Sequence, residues 1–139
     1  MGEEAVLVDS AIALYAMGDP GPQRDRSQRY LESLWEGKGR AYASVEMIQE
    51  TVHHRLRRLG DRAAAAQDAR DLMPSLILLN FDREVLDLSL ELIERTSISG
   101  RDAVHAATAL AYGIETIASP DPAFDGIPGL RRIDPLADA

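Results

Sequence analysis

The sequence predicts a three-layer α/β fold, with a central parallel sheet of four to five strands covered by helices on both faces. Three observations predict it. Short apolar runs alternate with longer segments of helical period along the chain, and strands that alternate with helices form a parallel sheet buried on both sides. The segments are separated by glycine and proline breaks, as at Gly18-Asp19-Pro20-Gly21-Pro22, Gly60 and Gly113. No repeat, low-complexity tract or linker interrupts the 139 residues. That length buries one core, so residues 1–139 are expected to form one domain.

Ala5–Val8 is a short apolar run that ends at Asp9 and reads as a buried strand. Ala11–Met17 reads as a short helix, stopped by the Gly/Pro break. The next helix covers residues 23–36, with Tyr30, Leu31 and Leu34 on its apolar side and Gly37 and Gly39 behind it. Arg40–Ala43 is a strand. Ser44 can cap a helix that runs to Leu59, with Val45, Ile48, Val52, Leu56 and Leu59 as its apolar stripe and Gly60 as its stop. Residues 61–72 make a helix rich in alanine and charge. Ser75–Phe81 is a strong strand. Asp82 can cap a helix over 83–95, and Ser99 one over 100–112 that Gly113 terminates. Ile114–Ala118 is a further strand. Leu130–Ile133 is a weaker one, after the loop 119–129.

The 23 acids outnumber 15 Lys plus Arg, for a net charge of -8. That balance argues against a broad polyanion-binding surface. It permits a basic partner, or a local carboxylate cluster that holds a cation. There is no cysteine, which excludes disulfides, thiolate zinc sites and Cys nucleophiles. No apolar run reaches the ~20 residues of a membrane span, and Glu3 and Glu4 make the start unlike a signal peptide. A cytoplasmic protein with no membrane association is expected.

In a parallel sheet the functional crevice lies outside the carboxyl ends of the strands, where strand order reverses. Four acids are candidates for that edge. Asp9 directly follows the first strand and, with Ser10, can equally cap the next helix. Glu50 lies off the apolar stripe of its helix, beside Glu46, His53 and Arg57. An i,i+4 pair with His54 on a solvated face would account for it, but Glu46 and Glu50 are themselves a like-charged i,i+4 pair, a cost that a bound cation removes. Asp102 opens the helix 100–112, and Ser99-Gly-Arg-Asp102 also has the spacing of a capping box. The alanines that follow it, at 103, 106, 107, 109 and 111, let that helix approach the sheet. Asp121, between Pro120 and Pro122, follows the strand Ile114–Ala118 by three residues and suits an ordinary turn. Together the four can converge on one edge. Carboxylates so placed repel unless a cation neutralises them. Mg²⁺ or Mn²⁺ suits an oxygen-only site and can activate water for attack on a phosphodiester.

The sequence around these acids resembles the PIN-domain family. Val8-Asp9-Ser-Ala-Ile-Ala-Leu resembles its opening strand and first acid, and Ser44-Val-Glu-Met-Ile-Gln-Glu50 its second block. Ile98-Ser-Gly-Arg-Asp102-Ala-Val-His-Ala-Ala-Thr-Ala is similar to the third. Ile117-Ala-Ser119-Pro-Asp121-Pro-Ala-Phe124-Asp-Gly-Ile-Pro-Gly-Leu is similar to the fourth. The likeness spans residues 5–134 and the compact size is like that of VapC-type toxins. It implies a PIN fold and a Mg²⁺- or Mn²⁺-dependent endoribonuclease with Asp9, Glu50, Asp102 and Asp121 as its acidic site. It also implies that Ser119 hydrogen-bonds a carboxylate or a metal-bound water, that an antitoxin protein is the partner, and that the chain forms a homodimer. Glu46 competes with Glu50 for the second role, and the spacing from Ser44 favours Glu50. A nuclease of RNA processing without an antitoxin, or a PIN-like binding module without chemistry, would carry the same fold.

Other polar residues compete with these for a role. His53 and His54 point about 100° apart and cannot chelate one ion together. His105, one turn after Asp102, can pack, hydrogen-bond or act as a base. Arg57, in the basic stretch His53–Arg58, and Arg101 can contact RNA phosphates or simply line a solvated face. The scattered Tyr15, Tyr30, Trp35 and Tyr112 read as core or interface rather than as a base-stacking platform.

Overall fold

The computed structural model describes residues 4–137. Strands β1 (Glu4–Val8), β2 (Gly39–Ser44), β3 (Ile77–Leu79), β4 (Thr116–Ala118) and β5 (Arg131–Ile133) form one sheet in the order β3-β2-β1-β4-β5. Every neighbouring pair is parallel. The helices are α1 (Ser10–Ala16), α2 (Pro22–Ser33), α3 (Val45–Leu59), α4 (Arg62–Leu72), α5 (Arg83–Arg95) and α6 (Gly100–Ala111). This is the expected α/β class, with five strands.

The central strand shows why the sheet is covered on both faces. Val6, Leu7 and Val8 are all buried, but they divide between two cores. Leu7 packs with Leu79, Val85 and Leu92 and with the alanines of α6. Val6 and Val8 pack with Ile12, Leu31 and Met47 on the other side. Alternation along a strand sends successive side chains to opposite faces, so one three-residue run serves both layers. On α6, Ala103, Ala106, Ala107 and Ala109 are each 0% exposed. These small side chains let the helix pack closely against α5, β2 and β4, and His105 near its start reaches Ser44 at the end of β2.

Four local expectations change. The buried line of α3 is Met47 and Thr51, whereas Val45 and Leu59 are exposed. Ser44 is both the last residue of β2 and the cap of α3, its Oγ accepting the Met47 N–H at 3.1 Å. The strand therefore sets which face of the helix turns inward. The second half of α3 leans on α4 instead, where Arg55 donates to Asp68 at 3.0 Å. The helix expected over 23–36 ends at Ser33 and passes into a wider turn, Leu34–Lys38, completed by Gly37 at φ 91°. The strand expected over Ser75–Phe81 is only Ile77–Leu79, because Met73–Ser75 forms a 3₁₀ turn around Pro74. Ser99 occupies the N-cap position of α6 without capping it through its side chain. Its hydroxyl donates to Asp102 Oδ2 at 3.3 Å instead. Among the described residues, no helix is long and apolar enough to cross a membrane.

Candidate active site at the sheet edge

Register places the first side chains. Val8 pairs with Ala118 across β1 and β4, so Asp9 and Ser119 leave the two strands side by side. Leu7 pairs with Tyr42 across β1 and β2, and two residues further on stand Asp9 and Ser44. The chain continues to β2 and β3 on one side of β1, and to β4 and β5 on the other. Such a reversal of strand order opens a crevice at the carboxyl ends.

Asp9 sits in that crevice, 5% exposed. Its Oδ2 accepts the Ser119 hydroxyl at 2.8 Å, and its Oδ1 accepts the Ser10 N–H at 2.9 Å. It is thus both helix cap and edge acid. Burial pushes its carboxyl above the ordinary value; the charge of His105 and the Ser119 and Ser10 hydrogen bonds oppose the rise, and the charge of Glu50 adds to it.

Glu50 does not pair with His54. Its Oε1 lies 2.5 Å from Nε2 of His105, and Nδ1 of His105 lies 3.1 Å from Ser44 Oγ. The imidazole therefore ties the end of β2 and helix α6 to α3. His105 is 2% exposed. Burial works to lower its pKa, but the hydrogen bond and charge of Glu50, with the charges of Asp9 and Asp102, raise it above the ordinary value. Glu46 stands half-buried one turn earlier on the same helix, and Glu50 is the acid of the two whose charge reaches Asp9.

Asp102 stands in the first turn of α6. Burial raises its pKa, the negative charges of Asp9 and Asp121 raise it further, and His105 and Ser99 partly offset them. Asp121 is exposed on the loop after β4. Its N–H donates to Ser119 Oγ at 3.0 Å, and its own Oδ1 accepts the Ala123 N–H at 2.9 Å. Phe124, fully buried, anchors that loop.

The four acids, from four separate segments, thus act on one another at one edge. Among the described residues, no three His, Asp or Glu side chains stand together as a ready-made ion cluster. Asp121 Oδ1 is turned to Ala123 and Glu50 Oε1 to His105. The available donors are carboxylate and hydroxyl oxygens, which suit a hard divalent cation. The repulsion that Asp9 and Asp121 exert on Asp102, only partly offset by His105 and Ser99, is the kind that such a cation relieves.

Beside the acids runs a cleft of about 810 Å³, whose walls include Ser10, Glu50, His105, Arg57, Arg58 and Arg101. Arg57 and Arg101 are exposed there, and Arg58 pairs with Asp19 at 2.5 Å. The cleft is thus lined by carboxylates and guanidinium groups together, in a protein that is acidic overall.

Sequence reasoning missed Arg132. From the edge strand β5 it donates to both oxygens of Asp125, at 2.8 and 3.1 Å, and to the Ser119 carbonyl at 3.2 Å. It pins the loop that carries Ser119 and Asp121. No local signal marks it, because its partners are set only by the return of the chain to the sheet.

An acid-lined crevice at the reversal of this strand order defines the class: the chain belongs to the PIN-domain family, whose model matches residues 6–130. It is similar to the VapC ribonuclease Mb1869c of Mycobacterium bovis, at 31% identity over 131 residues, 92% of this chain and 98% of that protein. It is also similar to ribonuclease VapC7 of Mycobacterium tuberculosis, at 32% identity over 136 residues, 95% and 92% of the two chains. Among solved structures, VapBC2 from Rickettsia felis matches with TM-score 0.74 at 18% identity, over 94% of this chain and 98% of that one. At that identity the likeness is one of fold.

Proposed function

We propose that the chain is a VapC-type toxin, a divalent-metal-dependent endoribonuclease that hydrolyses RNA phosphodiester bonds in the cytoplasm and is restrained by a cognate antitoxin. One observation supports this most: Ser119 bonds both the Asp9 carboxylate and the Asp121 backbone at the strand ends, and beside its burial Asp102 feels the charges of those two acids. Such mutual repulsion at a crevice is costly unless a cation is shared. The names of the relatives, ribonucleases over nearly the whole chain, support the same reading.

Asp9, Asp102, Asp121 and Glu50 would hold Mg²⁺ or Mn²⁺. Such an ion, when bound, supplies positive charge for the developing oxyanion and lowers the pKa of water. The protein's own residues do the rest. Ser119 holds Asp9 by its hydroxyl and the Asp121 backbone by its oxygen, fixing two acids from one side chain. Ser10 fixes the other oxygen of Asp9. Arg57 and Arg101, on the cleft walls, hold phosphates that flank the scissile one. The partner is a protein that closes this edge. The fold works as a homodimer, for which Leu86, Leu90 and Ile93 on α5 offer an exposed apolar row.

The test is incubation of antitoxin-free protein with total cellular RNA, with and without Mg²⁺ or Mn²⁺, beside Asp9→Asn. Discrete cleavage that needs the ion and disappears in the folded variant is expected. Intact RNA under every condition, with Asp9→Asn indistinguishable from the parent in Mn²⁺ calorimetry, would end this reading.

A further inference from the structure

We propose that His105 is the positioning residue for Glu50, locking one carboxylate oxygen so that the other is presented to the metal edge. This rests on the nuclease reading and adds a residue outside its acid set.

Glu50 as a carboxylate can only accept, so Nε2 of His105 carries the hydrogen in the 2.5 Å bond to Oε1. The other nitrogen is fixed as well: Nδ1 meets Ser44 Oγ at 3.1 Å, and the same oxygen accepts the Met47 N–H. A neutral imidazole receives the Ser44 hydrogen at Nδ1, and a charged one donates to the Ser44 oxygen. In both states Nε2–H points at Glu50. The ring thus has one orientation, set by the cap of the very helix that carries Glu50.

Placement argues against mere packing. His105 is 2% exposed on α6, on the face it shares with Asp102, three residues earlier, and the buried Thr108, three residues later. A buried imidazole is costly unless its nitrogens are bonded, and desolvation opposes its charge. It also feels three of the four acids, Glu50, Asp9 and Asp102. A glutamate on a long flexible stem, 24% exposed at the flank of α3, would otherwise sample many rotamers. One hydrogen bond removes that freedom and sets the spacing of Glu50 from Asp102, since both then refer to α6. Partners of this kind behind metal-binding carboxylates are worth about 10- to 100-fold in affinity or activity.

The experiment compares His105→Gln, whose amide nitrogen can reach the place of Nε2, with His105→Asn, which reaches only that of Nδ1, and with His105→Leu. Each is assayed for thermal unfolding, Mn²⁺ affinity by calorimetry, and kcat and KM on RNA. We expect Leu and Asn to lose about 10- to 100-fold in Mn²⁺ affinity and kcat with KM little changed, and Gln to recover most of both. Leu equal to the parent, or Gln falling as far as Asn, overturns the proposal. If Leu does not unfold cooperatively, the Gln–Asn pair alone decides. ¹⁵N NMR of the His105 ring gives a readout that needs neither metal nor RNA: a hydrogen-bonded Nε2–H that loses its shift in Glu50→Ala. A ring without that proton sinks the positioning role alone, whereas a parent protein that binds no Mn²⁺ and cuts no RNA sinks the nuclease reading.

Discussion

Asp9 and Asp121 both come after strands of the same parallel pair, yet they are held in opposite ways. Asp9 is buried and bonded through both oxygens, to Ser119 and to Ser10. Asp121 is exposed, its backbone tied to Ser119 and one carboxylate oxygen turned to its own loop. The difference lies in the segment that each acid opens. Asp9 leads straight into α1, so its geometry is fixed by the helix start. Asp121 leads into a proline-flanked loop whose shape is set by Phe124 beneath it and by Arg132 beside it. One acid is buried and bonded through both oxygens; the other is exposed and bonded through one.

The largest expected effect breaks the comparison at its rigid end. Asp9→Asn should lose cleavage by at least about a hundredfold, beyond the range of indirect ligand partners, and excess Mn²⁺ should not restore it. Asp121→Asn should lose less and recover at high Mn²⁺, because water can take the place of an exposed ligand. Cleavage titrated against Mn²⁺ measures both, and the reverse order of rescue would refute the distinction. A smaller effect, about 10- to 100-fold, is expected of Ser119→Ala, which releases both acids at once. Its signature is that Asp121→Asn added to it costs less than it costs alone. Full additivity in that double-mutant cycle would show that Ser119 does not join the two.

The smallest effect is on stability. In chelator, the folded-state pKa of Asp102 lies above its ordinary 3.8, chiefly through burial and then through Asp9 and Asp121. A raised carboxyl pKa means that folding favours the protonated form. Its contribution is complete below the unfolded value and is lost as pH rises through the folded one. Asp102→Asn removes that loss, so its Tm at pH 7 should exceed the parent's by about a few degrees, and the gain should vanish as the pH falls toward 4. A lower Tm at neutral pH would show that Asp102 holds the fold rather than straining it.

The layers of this fold were legible because each apolar run has a length and a stop. Ala5–Val8 and Arg40–Ala43 fall on sheet strands, Ile114–Ala118 does so over Thr116–Ala118, and Gly60 and Gly113 end helices with φ of 68° and 75°. The acids were legible because they sit at strand ends and helix starts, positions that sequence order reveals. What could not be read depends on rotation and return. The inward face of α3 is dictated by β2, so a helical wheel over Val45–Leu59 put the wrong line inside. The partner of Glu50 lies 55 residues away on α6, beyond any i,i+4 rule. A histidine among alanines was the available signal for it. Arg132 offered none, since its value depends on a loop that only the closed sheet brings to it.

The alanines of α6 carry a consequence for how this protein tolerates change. Ala103, Ala106, Ala107 and Ala109 contribute no chemistry, yet each is fully buried in α6, which packs against α5, β2 and β4. Interiors this dense do not absorb an added methylene without moving backbone. Each such movement would carry the aspartate and the imidazole of that helix away from their counterparts on the strands. The tolerance of the nuclease edge is therefore set as tightly by the smallest side chains beneath it as by the charged ones upon it, and variation that looks conservative at those four positions is where fine control of its spacing resides.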